Sequence, residues 1–426
     1  MRGSTMPDIG ARNEMVVLQA IRLGEDGIAQ AEVMRRSGLS RQAVSQIVRR
    51  LIDRGLVETD GTRSNGRGKP STVLRIVPRA MLAAGVHLDP AQVTVVIVDL
   101  LARVVAQRSL GLPASSPEAD VRRIGDAVAD MLGQLRAEGF AAADGGDVAG
   151  AVAGLGIAAP AGLDSARGIL LDPPWLPTWR HVPIVAQLEA ATGLRVVLDK
   201  DTNAALTAES WAGSVPGDET VLYIYVGAGV GSAVAGDGTV HRGSTTQAGE
   251  IGHLPTGLDG PVCACGRRAC LGLYTDASAL LARARELELL PCAPGIAVAC
   301  TAPAAAAAVT GHAVGEERVA DALADLVRLA MAGNAAAREI IAGHGRALGE
   351  ALRTLIGVHD PHRIIIGGPY WGLLAELALP ELRERALDGA GREHGVLIES
   401  SRLGDDVGAI GAASLFLERE LSPARR

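Results

Sequence analysis

Apolar positions in the first eighty residues recur at helical spacing. Val16, Val17, Ala20, Ile21 and Leu23 predict an amphipathic helix that ends near Gly24. A second short helix fits Ala31 to Arg36 and stops at Ser37-Gly38. Ser40 then stands where it caps the free amides of a third helix, in which Val44, Ile47, Val48, Leu51 and Ile52 form one apolar stripe. That stripe leaves Arg41, Gln42, Ser45, Gln46 and Arg49 on the opposite side. Two helices joined by a short Gly-containing turn, the second exposing Arg, Gln and Ser near its start, predict a helix-turn-helix whose third helix enters a major groove. Leu56 to Glu58 and Thr72 to Ile76 read as two short strands around the polar loop Thr59 to Ser71, which completes a winged helix-turn-helix over residues 1–80.

From Gly85 the pattern changes. Short β-branched runs at Val93 to Val98, Leu155 to Ile157, Val196 to Leu198, Val221 to Val226 and Arg363 to Ile366 are separated by helical stretches such as Ala119 to Arg136, Pro183 to Thr192 and Ala335 to Leu355. This alternation predicts an α/β body with buried sheets. Residues 81–426 are too many for one such unit, so two lobes with a cleft between them are expected.

Charge divides the chain at the same boundary. Residues 1–80 hold 14 Arg and Lys against 8 Asp and Glu, a net of +6, so the total of −7 leaves −13 on the remainder. A basic head on an acidic body is the footprint of a nucleic-acid-binding module joined to something that binds elsewhere. Arg and Gln suit the major-groove edges of guanine and adenine, which makes Arg41, Gln42, Ser45, Gln46 and Arg49 the candidate base readers. Arg50 and Arg54 are expected at phosphates. The wing tip Arg67-Gly68-Lys69-Pro70 resembles an AT-hook core, in which glycine lets the backbone enter the minor groove between two cations. An operator of double-stranded DNA, pseudo-palindromic, calls for two heads about one DNA turn apart, hence a homodimer or homotetramer. No run approaches the roughly 20 apolar residues of a membrane span, and the start of the chain lacks a secretory pattern, which together predict a cytoplasmic address.

His253, Cys263, Cys265 and Cys270 place one imidazole and three thiolates within 18 residues, in a chain with only two other cysteines, Cys292 and Cys300. Four such donors without a carboxylate predict a closed, structural Zn²⁺ site, one per chain. The glycine-rich runs Gly154 to Pro160, Gly227 to Gly231 and Gly367 to Pro369 are weaker signals: each could cradle phosphate or sugar hydroxyls, or be a tight turn.

Ala248-Gly249-Glu250-Ile251-Gly252-His253, followed by Cys263-Ala264-Cys265-Gly266-Arg267-Arg268-Ala269-Cys270-Leu271, resembles the signature of the ROK family of sugar-responsive repressors and sugar kinases. Asp199 to Ala205 resembles the family's E-N-D-A-N-A segment, and His359-Asp360-Pro361 to Gly368 its last nucleotide-side strand. The resemblance implies an actin/hexokinase-like (ribonuclease H-like) body with one lobe of residues 81–199 plus a C-terminal helix near 407–420, and a second lobe of 200–406 that carries the zinc loop. It also implies a sugar or sugar phosphate as effector. Asp201 matches the family's catalytic base, Glu250 and His253 its sugar-hydroxyl contacts, and Asn203 joins them as a polar group of the cleft.

Departures from the kinase pattern separate the two branches of the family. Kinases carry D-x-G-G-T-K where this chain reads His87-Leu88-Asp89-Pro90-Ala91-Gln92, which lacks the phosphate-admitting glycines and the cation. Positioning and charge neutralisation are nearly all of phosphoryl-transfer catalysis, so Asp201 is expected to be vestigial as a base. On the sugar side, C-L-E has become Cys270-Leu271-Gly272 and P-N-L has become Pro174-Trp175-Leu176, with Trp175 and Trp179 offered as stacking faces. The leading expectation is a transcriptional repressor controlled by a sugar bound between the lobes. The alternatives are an ATP-dependent sugar kinase with an appended DNA-binding head, and a regulator governed by a docking protein.

Overall fold

The computed structural model describes residues 6–24, 26–63, 71–114, 116–173, 176–213, 215, 219–236, 238–291, 317–388 and 395–421. In the head, helix α1 spans Met6–Arg22, α2 Gln30–Ser37 and α3 Arg41–Asp53. The strands β1 (Ile28–Ala29), β2 (Val57–Arg63) and β3 (Ser71–Ile76) form an antiparallel sheet in the order β1-β3-β2. Gly38 ends α2 with φ +66°, a left-handed turn suited to glycine, and its amide donates to Met34 O at 3.0 Å. Ser40 Oγ accepts from the Ala43 amide at 3.3 Å, the expected cap. Val44, Ile47, Val48 and Leu51 are buried against Val17, Ile21 and Val33, whereas Ile52 is exposed at the margin of the stripe.

The first sheet of the body contains β4 (Leu82–Leu88), β5 (Val93–Val98), β6 (Val104–Ser109), β7 (Val152–Ala159) and, after the small hairpin β8 (Leu163–Asp164) and β9 (Ile169–Leu170), β10 (Val196–Lys200). Its order is β10-β7-β4-β5-β6, parallel on the β10-β7-β4 side and antiparallel from β4 onward. One face is covered by α4 (Pro117–Ala137), the single turn α5 (Val148–Ala151) and α6 (Ile184–Thr192). Against the other face lies the C-terminal helix Val407–Leu421, so close that a Cβ at Gly156 would stand 1.7 Å from Ala412 O. Gly154 and Gly156 therefore sit inside β7 to admit this helix and are not parts of a phosphate cradle.

The second sheet comprises β11 (Val221–Val226), β12 (Val230–Gly236), β13 (Thr239–Val240), β14 (Arg363–Gly367) and β15 (Leu397–Ser400), in the order β13-β12-β11-β14-β15. Helices Ala277–Glu286, Glu317–Met331, Ala335–His359 and Trp371–Ala386 pack on its outer side. Helix α7 (Asp201–Ala212) is buried nearly all round because it is sandwiched: it meets the C-terminal helix, which backs the first sheet, and strands β11 and β12 of the second.

One apolar cluster joins the head to the body. It runs from Val17, Ile21 and Leu51 through Val98, Leu100 and Trp211 to Phe416. The head is thus packed against the body at the C-terminal end of α7, and its connection is not a free linker.

Candidate functional site

The two lobes enclose a cleft of about 460 Å³, counting space open to solvent, whose polar lining comes from Asp89, Asp201, Thr202, Tyr225 and Glu250. Asp201 opens α7, and its Oδ1 accepts from the Thr202 amide at 2.6 Å. Burial pushes its carboxyl up to about 7, against the pull of neighbouring Lys200. Glu250 reaches the cleft on a loop held by Gly249, whose φ is +83° and whose Cβ, if present, would meet Ser232 O at 1.9 Å. The Gly249 carbonyl accepts from the Ser232 amide at 2.9 Å and so ties the loop to β12.

Beneath these groups lies a buried network that the sequence did not announce. Lys200 is only 1% exposed, and its Nζ donates to Glu250 Oε1 at 2.9 Å and to the Ala248 carbonyl. Asp199 accepts from the Lys200 amide at 2.8 Å, from Asn203 Nδ2 at 2.8 Å and from Arg242. Asn203, expected as an effector contact, is therefore buried one turn into α7 with its amide committed to Asp199. Trp179, expected as a stacking face, lies wholly inside the core of the first lobe and has no face to offer a sugar. Trp175 falls outside the described residues.

The turn after β4, His87 to Gln92, is closed on itself. Asp89 Oδ1 accepts from the Ala91 amide at 2.8 Å, and the Asp89 carbonyl accepts from the Gln92 amide at 3.2 Å. Burial raises the Asp89 pKa and lowers that of His87, whose Nε2 stands 3.2 Å from Tyr225 Oη. On the opposite wall, the Gly227 amide donates to Gly229 O at 2.9 Å.

The ligand atoms of His253, Cys263, Cys265 and Cys270 converge to within 4.8 Å of one another. His253 Nδ1 is 3.5 Å from Cys263 Sγ, and Cys265 Sγ is 3.5 Å from Cys270 Sγ. Burial and the neighbouring thiols push Cys270 up to about 12. Three thiols crowded around one imidazole fit a tetrahedral cation that displaces their protons. The loop is fastened to the Glu250 segment by the Gly272 amide, which donates to Gly252 O at 2.8 Å.

On the head, Arg41, Gln42, Gln46 and Arg49 are exposed along one side of α3. Ser45 is half-buried and accepts from Gln30 Nε2 at 2.9 Å, so it belongs to the helix-helix contact. Arg50 and Arg54, expected at phosphates, both pair with Glu14 of α1, at 3.1 and 2.6 Å. Arg67 and Lys69 lie outside the described residues.

The architecture is that of a winged-helix DNA-binding domain on a two-lobed sugar-kinase-like body. The ROK family model matches residues 90–419, and a MarR family model matches residues 10–68. The chain belongs to the ROK family. It is 23% identical over 413 residues to a putative xylose repressor of Caldicellulosiruptor sp. (strain Rt8B.4), with 96% of each chain covered. It is 23% identical over 394 residues to the DNA-binding transcriptional repressor Mlc of Escherichia coli (strain K12), covering 91% of this chain and 88% of that one. Among solved structures, a ROK family transcriptional regulator described as a homologue of the E. coli MLC protein superposes with a TM-score of 0.70, at 20% identity and 98% coverage of both chains.

Proposed function

We propose that this protein is a transcriptional repressor that binds operator DNA through α3 and the wing and responds to a sugar held between the lobes. Arg41, Gln42, Gln46 and Arg49 read bases, with Arg67 and Lys69 at the minor groove. Asp201, Glu250, His253 and Trp175 contact the sugar. A structural Zn²⁺ held by His253, Cys263, Cys265 and Cys270 stiffens the loop behind Glu250. The protein works in the cytoplasm as a homodimer or homotetramer on a pseudo-palindromic site.

One observation carries the choice of regulator over kinase: the Asp89 carboxylate occupies the phosphate turn and takes up its Ala91 amide. A phosphoryl donor would meet a carboxylate where it needs amides and a cation. The raised Asp201 pKa favours the second reading, a kinase, since a general base works best near its operating pH. The decisive measurement pairs operator binding with coupled ATP assays across a sugar panel. A sugar should change operator affinity with no phosphorylation above background. Glu250→Ala should lose that response and keep sugar-free DNA binding. Phosphorylation that disappears in Asp201→Ala would establish the kinase instead.

A further inference from the structure

We infer that the cleft selects against negative charge: its ligand is a sugar without a phosphate ester or carboxylate. This deepens the sugar-sensor reading and rests on it.

Asp89, Asp201 and Glu250 present three carboxyl groups, and no Arg, Lys or His is among the described residues that line the cleft; His253 lies outside this lining, gathered with Cys263, Cys265 and Cys270. Of the cations beneath the cleft, Lys200 lies under the surface with its ammonium already shared between Glu250 and the Ala248 carbonyl, and Arg242 is paired with Asp199. A phosphate drawing on that ammonium would have to break the Lys200–Glu250 pair and strand Glu250 beside a second anion.

Several backbone amides around the cleft, the other means of holding an anion, are already committed. Ala91 and Gln92 donate to Asp89, Gly227 donates to Gly229, and Thr202 donates to Asp201. What the cleft does offer is acceptors. Glu250 is anchored through Oε1, which leaves Oε2 for a hydroxyl donor, and Asp201 opens α7 beside it. Two fixed carboxylates suit the hydroxyls of a neutral polyol and tolerate a protonated amine. Glu250, and Asp201 in its ionised form, repel an ester dianion, and in a partly buried cleft that repulsion is poorly screened.

Calorimetry and thermal shift on the full-length protein, with sugars presented beside their anionic derivatives, test this. The probes are glucose, glucose 6-phosphate and glucuronate, N-acetylglucosamine and its 6-phosphate, and glucosamine, xylose, mannose and galactose. At least one uncharged or amino sugar should bind, with its phosphate or uronate form at least 100-fold weaker. Asp89→Asn, which removes one facing carboxylate, should narrow that ratio about tenfold; the wild-type panel stands by itself if the variant does not fold. A phosphate ester that binds as tightly as its parent sugar, or tighter, overturns the inference and leaves the sugar sensor standing. No response to any probe brings down the sensor reading and this inference with it.

Discussion

Arg22, the last residue of α1, lies over the ring of Trp211 on α7, with 4.1 Å between the guanidinium carbon and the ring centroid. Its nitrogens donate to the Trp211 carbonyl and, at 3.3 Å, to that of Ser210, at the negative end of the helix dipole. Burial pulls its pKa down to about 9, which leaves it charged at neutral pH. Trp211 is itself fixed by its Nε1, which donates to the Leu100 carbonyl at 3.0 Å.

Arg22→Ala removes stacking and two charge-assisted bonds while relieving a buried cation, and should cost about 2 kcal/mol of stability. Its larger effect should fall on coupling. Amide exchange in α1 should quicken, and the sugar response of operator affinity should weaken, while sugar affinity in the body stays intact. Exchange rates in α1 equal to wild type would remove Arg22 from this role.

Recognition should follow the exposed face of α3 and not the sequence stripe as a whole. Arg41→Ala and Gln42→Ala should each weaken specific binding by roughly 1–3 kcal/mol, with folding preserved. Ser45→Ala, which loses only the Gln30 bond, should lower stability by about 1 kcal/mol and spare base preference. Binding titrations on operator and mismatched DNA separate the two outcomes.

Metal analysis of freshly purified, reduced protein should return one zinc per chain. Cys265→Ser should lose it, with a lower melting temperature and a blunted sugar response, because a structural ion contributes folding free energy directly. Zinc-free protein with wild-type stability would contradict this.

Two buried groups shape the pH dependence of stability in opposite directions. Burial holds His344 near pKa 4, below its ordinary 6.5, so the unfolded chain binds the extra proton and stability falls as pH drops from 6.5 toward 4. Burial lifts Asp276 to about 8, so the folded chain keeps its proton and stability falls as pH rises from about 4 through 8. Each limb has a slope of up to about 1.4 kcal/mol per pH unit. Asp276→Asn should therefore gain on wild type as pH rises to 8, and His344→Leu should flatten the acid limb. Urea unfolding at pH 5, 6.5 and 8 reads both.

The periodic features were legible in the sequence. Val44, Ile47, Val48 and Leu51 face the core because a helix gives them no other way to share a side, and four soft ligands in 18 residues converge because their loop is short. What was not legible depends on partners distant in the chain. Arg50 and Arg54 turn to Glu14, because a crowded polar group takes the nearest counterpart. Gly154 and Gly156 resemble a phosphate loop until the C-terminal helix arrives some 250 residues later to fill the space they leave. Lys200 was in plain view as one of two lysines, yet its burial under Glu250 could be known only from the fold.

Helix α7 starts at Asp201 in the cleft and ends at the carbonyls that hold Arg22, a span of about 18 Å. A rigid body with one end in each compartment makes the exchange of information reciprocal. If a sugar loosens the hold on the operator by some factor, the operator must loosen the hold on the sugar by that same factor. Chromosomal copies seated on DNA would then answer at a higher sugar concentration than copies free in solution, and the number of operator sites in the cell would itself help set the threshold of the response.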